Sequence, residues 1–481
     1  MEMFLDSQQV FEVLDGFNPW WAGRRAALPE YRRLAYQACR RYLDEPSLKR
    51  AILLSGARRV GKTTVLLQVA SALVAEGREP KSILYLSLDH PVLKLLTLPE
   101  LLRIYHERLY PEGKPATLLL DEVQYSPDWE THIKHLVDLK PFYRILATGS
   151  ASVVHRHRLA ESGVGRWVRV AMPTLSFYEF AQLLGEAPPD LPAGLRLPDL
   201  FESSETDLWP LAGRLRPLMP LFERYLLVGG FPDTARVRDL AFCQRLLRED
   251  VVERVLRRDL TDLFHVRNVG DVDKLFLYLC IHSGGILAVE ACASALGCSP
   301  TTVTNHLEVL EQANLIYRLA PYRIGGKRAL KARHKVYLVD AALRNSVLMR
   351  GEEVLKNPDE MGLIVETTVL RHLFAFHAWE TPRLGYWRDS ATSQEVDMIV
   401  ASPRAVVPVE VKYRAKAPLG PGEGIVHFCR NERVSHAFWV TQREADFGVV
   451  QFPGLQTKFL RIPAHIFCYL LGQGEQPGTA E

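Results

Sequence analysis

A chain of 481 residues has room for two to four domains at roughly 100–200 residues each. Hydrophobic residues at 47% and charged residues at 24% support packed cores and exclude wholesale disorder, and a net charge of +3 does not by itself mark a nucleic-acid binder. No run of about 18 apolar residues exists to cross a membrane, and seven scattered cysteines without a C-x-x-C fit reduced thiols in a cytoplasmic protein.

Residues 1–48 form a basic, aromatic lead-in containing Asn18-Pro19-Trp20-Trp21. Acids interrupt its first 18 residues and no basic segment precedes them, so no secretory signal is expected. Arg24-Arg25 has no apolar stretch behind it to make an export signal. Further arginine pairs at 32–33, 40–41 and 58–59 read either as a phosphate track or as contacts to a neighbouring subunit.

Residues 49–174 alternate short apolar runs with amphipathic stretches, the pattern of βα units around a parallel sheet. Strands are predicted at 51–54, 82–88, 117–120, 144–148 and 167–171. The first runs into Gly56-Ala57-Arg58-Arg59-Val60-Gly61-Lys62-Thr63-Thr64 and then an apolar helix over 65–75. This is G-x-x-x-x-G-K-T in a strand–loop–helix setting. Glycines let successive backbone N–H groups turn onto a polyphosphate, and the helix N-terminus adds its positive end. The spelling therefore predicts an ATP site. Gly56, Arg58, Arg59, Val60 and Gly61 line it, Lys62 reaches the β- and γ-phosphates, Thr63 gives a hydroxyl to Mg²⁺, and Thr64 supports the loop. The third strand ends in Asp121-Glu122, read as a Mg²⁺ carboxylate and the base that polarises water. The fourth ends in Thr148-Gly149-Ser150, whose hydroxyls are candidate γ-phosphate sensors, although such a triplet is also ordinary turn chemistry. Arg166 is the preferred arginine finger onto a neighbour's nucleotide in a homo-oligomer; Arg156 and Arg158 read equally well as a solvated helix face.

Residues 175–240 read as a helical lid broken at 188–220 by seven prolines and mostly acidic charge, expected to be a surface insertion. Residues 241–350 read as a winged helix. Helices are predicted at 273–283 and 288–296, then a third capped by Ser299 with Pro300 at its first position, and strands at 315–319 and 335–339. The third helix leaves Thr301, Thr302 and Asn305 off its apolar stripe. The intervening wing carries Arg323, Lys327, Arg328, Lys331, Arg333 and Lys335, with no acid from 321 to 335. Such a wing suits DNA backbone contact rather than base reading; packing and solvated-loop readings stand beside it.

Residues 351–470 return to α/β patterning, followed by a Gly- and Pro-containing tail at 471–481. Here Glu366 lies on an apolar helix, Asp397 in a short strand, and Glu410 and Lys412 on one face of another. Converging acids would bind Mg²⁺ through Asp397 and Glu410, with Lys412 orienting water. The set is similar to the PD-(D/E)xK nuclease pattern, with Glu366 as the helix acid, and a degenerate copy would bind DNA without cutting it. His132 with His135, and His155 with His157, lack the cysteines or carboxylates of a metal site.

The element order resembles the AAA+ ATPases, and most of all the prokaryotic family in which such a domain precedes a domain of unknown function with a winged helix and a nuclease-like end. Asn18-Pro19-Trp20-Trp21, Asp121-Glu122-Val123-Gln124, Thr148-Gly149-Ser150, Leu175-Ser176-Phe177-Tyr178-Glu179-Phe180 and Gly229-Gly230-Phe231-Pro232 carry the likeness over nearly the whole chain. The proline-rich segment departs from a compact lid, and Gly-Gly-Phe-Pro is also similar to switch-type, signal-transducing relatives. The expected class is α/β: a parallel-sheet ATPase domain with helical lid, a winged helix and a C-terminal nuclease-like domain. The expected activity is a cytoplasmic, Mg²⁺-dependent ATPase that binds DNA in recombination, repair or branched-DNA handling. A nucleotide-gated switch in signalling or defence, and an ATP-dependent DNA nuclease, are the alternatives.

Overall fold

The computed structural model describes residues 6–149, 165–264, 266, 268–323, 332–379, 383–389, 391–403 and 405–475. The chain divides into two compact units, Met1–Met172 and Pro173–Glu481.

The first unit is built on a parallel sheet of β1 (Ala51–Ser55), β2 (Ile83–Ser87), β3 (Ala116–Asp121), β4 (Tyr143–Gly149) and β5 (Trp167–Ala171). Their order is β2-β3-β4-β1-β5, each pair parallel. The central strands are apolar along their length because helices cover a parallel sheet on both faces. Register sets Ser87 beside Asp121 and Leu54 beside Thr148, which brings the ends of β2, β3 and β4 to one edge of the sheet.

Strand β2 is an edge, and Asn18-Pro19-Trp20-Trp21 caps it. The buried Asn18 side chain accepts from Tyr85 N at 2.7 Å and donates to Tyr85 O at 2.9 Å, pairing with β2 as another strand would. Both indoles donate to Ile83 O, Trp20 at 3.0 Å and Trp21 at 2.9 Å. An open edge is a template for unwanted pairing, and these side chains close this one.

The second unit carries an eight-stranded sheet of order β12-β13-β11-β10-β9-β8-β6-β7. Its members are β6 (Ile316–Pro321), β7 (Lys335–Leu338), β8 (Arg383–Arg388), β9 (Glu395–Ala401), β10 (Val406–Lys412), β11 (His436–Thr441), β12 (Gly448–Val450) and β13 (Lys458–Pro463). Helices Val269–Ile281, Val289–Leu296 and Pro300–Gln312 precede the β6–β7 hairpin, and Ser299 accepts from Thr302 N as the N-cap of the third. The hairpin is not a free-standing wing. β6 joins β8 in parallel through Ala320–Gly385 and Pro321–Tyr386, extending the C-terminal sheet by two strands. Gly385 permits the join, since a Cβ there would lie 2.7 Å from Ala320 O.

Helices Pro358–Phe376, Ala464–Gln473 and Phe177–Leu183 pack together beneath this sheet. The Leu-Ser-Phe-Tyr-Glu-Phe and Gly-Gly-Phe-Pro motifs meet there. Leu175 N donates to Gly230 O at 2.6 Å, Gly230 N donates to Asp340 Oδ2 at 2.9 Å, and Phe177 N donates to His372 Nε2 at 2.9 Å. Gly229 has φ +73°, and a Cβ on it would lie 2.4 Å from Asp340 Oδ1, so both the backbone angle and the space demand glycine.

One expectation is corrected. From Leu197 on, the proline-rich stretch is not a surface insertion: residues Leu197–Glu202 and Glu205–Leu215 are helical, and Leu200, Phe201, Leu208 and Leu215 are buried, whereas 188–196 are irregular with none buried. Phe201 packs its ring on Phe438 of β11, and Glu202 pairs with Lys458 of β13 at 2.6 Å. Pro198, Pro217 and Pro220 sit in first turns, where proline is tolerated, and Pro210 lies inside helix Glu205–Leu215, so proline count misled where apolar spacing was informative. All seven cysteines are free thiols, and no helix of the described residues is long and apolar enough to cross a membrane.

Removing the edge cap has a local consequence. Asn18→Ala leaves the Tyr85 N–H and C=O unpaired, at a cost of about 2 kcal/mol. Hydrogen exchange at residues 83–87 should rise about 30-fold, with β4 unaffected; equal protection in the variant would refute the edge-cap role.

Candidate functional site

The Gly56–Thr64 loop turns tightly between β1 and helix Lys62–Ala75. A Cβ on Gly56 would lie 2.0 Å from Met172 O, and Gly61 has φ +98°, so neither position accepts a side chain. Lys62 opens the helix, only 6% exposed. Its ammonium donates to Gly56 O at 3.1 Å and Ala57 O at 3.0 Å and lies 3.8 Å from Glu122 Oε1.

Asp121 gathers hydroxyls from three elements. Thr63 Oγ1 donates at 2.7 Å, Tyr85 OH at 2.9 Å, and Thr148 Oγ1 to the other carboxylate oxygen. Burial, then the adjacent Glu122 charge, raises the Asp121 pKa, and the three hydroxyls pull it back without reversing the shift. Glu122 adopts φ +54°, rare for a residue with a side chain. Its N–H donates to Thr148 Oγ1 at 3.0 Å, and its carboxylate accepts from Gln124 Nε2. Backbone strain of this kind persists where surrounding bonds over-determine it.

The other residues expected here divide three ways. Arg58 is half-buried, Arg59 is exposed with φ +65°, Val60 is buried and Thr64 is half-buried, all on or beside the loop. Arg166 pairs with Asp138 through Nε at 2.8 Å, within its own unit. Ser150, Arg156 and Arg158 lie outside the described residues.

Sequence reasoning missed two participants. Tyr85 sits two residues before Ser87 on β2, hence on the face shared with Asp121, a placement only strand register reveals. Arg33 is a buried prop that donates to Val60 O at 2.9 Å, and Arg40 bonds Asp44 and Glu76, so neither is available as a phosphate track.

In the second unit Glu366, Asp397, Glu410 and Lys412 do converge. Asp397 N donates to Glu410 Oε2 at 3.2 Å, Val411 N donates to Asp397 Oδ2 at 2.9 Å, and Lys412 pairs with Glu410 Oε1. Tyr337 OH donates to Glu366 Oε1 at 2.6 Å. Burial, then Asp397, pushes Glu366 up to about 7 and Glu410 up to about 8.

Lys335 corrects the reading of the wing. It is not a solvent-facing wing charge: its side chain is 3% exposed, and its ammonium lies 2.5 Å from Glu395 Oε1, 3.3 Å from Asp397 Oδ1 and 3.4 Å from Glu366 Oε1. Burial alone would lower its pKa; Tyr337, Glu366, Asp397 and Glu395 together raise it well above the ordinary lysine value. Among the described residues no group of three or more His, Cys, Asp and Glu side chains is arranged to hold a metal ion.

Of the residues expected to touch DNA, Thr301 and Asn305 are exposed on the third helix, while Thr302 is engaged in the Ser299 cap. Arg333 is exposed, and Arg323 is exposed but paired with Glu432. Lys327, Arg328 and Lys331 lie outside the described residues.

Comparison with known proteins matches three segments of the chain. Residues 48–181 match the model of an AAA domain, and residues 219–354 and 361–463 match two domains of unknown function, DUF8612 and DUF4143. The chain is 25% identical to the uncharacterized protein MJ1637 of Methanocaldococcus jannaschii, over 72% of this chain and 73% of that protein. It is 22% identical to an uncharacterized protein of Haemophilus influenzae, over 79% of this chain and 86% of that one. Among solved structures, AMPPCP-bound DnaA from Aquifex aeolicus aligns at 19% identity and a TM-score of 0.25, covering 60% of this chain and 90% of that one. With the loop, strand order and family model in agreement, the chain carries an AAA-type ATPase domain over residues 48–181, whose parallel sheet is that of the first unit.

Proposed function

We propose that the chain hydrolyses ATP with Mg²⁺ in its first unit and binds DNA through its second. The single observation that carries the first half is the convergence of Lys62, Thr63, Asp121, Glu122 and Thr148 at the ends of β1, β3 and β4.

Thr63 and Asp121, in mutual contact at 2.7 Å, would hold Mg²⁺. One hydroxyl and one carboxylate suit this ion, which keeps waters and substrate phosphates as its other ligands. When bound, Mg²⁺ neutralises charge on the β- and γ-phosphate oxygens. The protein's own groups do the rest. The Lys62 ammonium turns from the Gly56 and Ala57 carbonyls to the β- and γ-phosphates, while N–H groups at the helix start bind phosphate oxygens. Glu122 orients the attacking water and takes its proton. Thr148, already bonded to Asp121 and to Glu122 N, senses the γ-phosphate through the same hydroxyl. Arg166 serves as a finger only after exchanging Asp138 for a neighbour's nucleotide.

Support for DNA comes from the acid-free sequence 321–335, together with the exposed Thr301 and Asn305 earlier in the chain. Lys335 is buried and Arg323 is paired to Glu432, so the reading rests on Arg333 and on Lys327, Arg328 and Lys331, which lie outside the described residues. Backbone contact of this kind does not depend on sequence.

Two experiments test the two halves separately. Glu122→Gln should keep nucleotide affinity and lower turnover by about 10²–10⁴-fold; turnover within threefold of wild type would remove Glu122 from the mechanism. Alanine at Lys327, Arg328 and Lys331 together should weaken duplex, forked and single-stranded DNA alike. The log–log salt slope measured by anisotropy should become shallower by about 3. An unchanged slope, with ATP turnover indifferent to all three DNAs, favours the nucleotide-gated switch instead.

A further inference from the structure

We infer that the Lys335 ammonium takes the place of a divalent cation in the Glu366–Asp397–Glu410–Lys412 cluster, which makes the cluster an internally paired site without metal-dependent cleavage.

The geometry is that of a filled cation site. Lys335 Nζ lies within 3.4 Å of oxygens from Glu366, Glu395 and Asp397, on a helix and on β9. The Tyr337 and Tyr386 rings flank the ammonium, each 6.0 Å from centroid to nitrogen. An ion held by Glu366 Oε1 and Asp397 Oδ1 at 2.0–2.1 Å, as Mg²⁺ requires, would have to share both oxygens with an ammonium 3.3–3.4 Å away and meet its charge. The other ligand oxygens are engaged as well. Asp397 Oδ2 accepts Val411 N, Glu410 Oε2 accepts Asp397 N, and Glu410 Oε1 is held by Lys412. The acids that resemble a nuclease set therefore do not fit the ion such a set would bind.

The Lys335 side chain is buried, at 3% exposed, and the backbone that carries it is pinned on both edges: Leu319 of β6 pairs with Lys335, and Ile286 bridges it from the other side. The neighbouring backbone is held by Gly284 N to Val336 O at 2.8 Å and Leu287 N to His334 O at 2.9 Å. The lysine enters from the hairpin that β6 joins to the C-terminal sheet, so the same junction that extends the sheet delivers the cation.

Mn²⁺ titration of the full chain, freed of nucleotide and followed by electron paramagnetic resonance, tests this independently of ATP turnover or DNA affinity. Wild type and Asp397→Asn should bind Mn²⁺ identically. Lys335→Met should gain one further Mn²⁺ per chain, lost again when Asp397→Asn is added. A wild-type Mn²⁺ site that Asp397→Asn abolishes overturns the inference, as does a folded Lys335→Met that gains none. If Lys335→Met does not fold, the comparison of wild type with Asp397→Asn decides alone. Supercoiled plasmid incubated with wild type and Mg²⁺ or Mn²⁺ should remain intact; nicking that Asp397→Ala and Lys412→Ala both remove also overturns it.

Discussion

A buried carboxylate that three hydroxyls must reach constrains the whole first unit. Asp121 takes one hydrogen bond from the loop helix (Thr63), one from β2 (Tyr85) and one from β4 (Thr148). Moving an ion of this kind out of water costs several kcal/mol unless its lone pairs are met. A slip of one residue in β2, β3 or β4 would turn a hydroxyl to the opposite face and leave that cost unmet. The Asn18–Trp21 cap matters for the same reason, because it fixes the strand that carries Tyr85. Arg33 acts likewise on the loop through Val60 O.

The second unit solves a similar electrostatic problem in another way. Its four carboxylates, Glu366, Glu395, Asp397 and Glu410, meet two internal ammonium groups. At Asp121 neutral hydroxyls share a carboxylate and leave a metal's charge to be supplied from outside; around Asp397 the charge is supplied by the chain. Removing one member of such a buried set leaves an uncompensated charge, typically costing about 3–5 kcal/mol. Two acidic centres of comparable burial thus differ in what they are equipped to do: one to handle a nucleotide, the other to hold a fold together at the junction of hairpin and sheet.

How much of this the sequence discloses depends on whether the information is local. The five strands of the first sheet were legible because each is a short apolar run, and the loop because glycine, lysine and threonine at fixed spacing have few other uses. The helices before β6 were legible from Ser299-Pro300 and the spacing of Val303, Leu307 and Leu310. Strand alternation put Glu410 and Lys412 on one face, and the resemblance to the PD-(D/E)xK pattern implied that Asp397 and the helix acid Glu366 join them. What was not legible is register and long-range pairing. Tyr85 looks like one more apolar residue of a strand until Ser87 is aligned with Asp121. Lys335 ends a basic run and reads as part of it, yet all four residues of β7 are buried, so alternation offers no solvent face. The signal was the surplus of acids at 366, 395, 397 and 410, which required more cations than Lys412 alone. Phe201 was hidden among prolines for a comparable reason: its partner, Phe438, lies more than two hundred residues away.

The central claim is that the loop ending in Lys62 and the acid pair Asp121–Glu122 make one hydrolytic site. Steady-state ATP turnover of purified wild-type protein, set beside Lys62→Ala under the same Mg²⁺ concentration, tests it most directly. The account predicts turnover in the first and none above background in the second. Lys62→Ala hydrolysing ATP at the wild-type rate would contradict it.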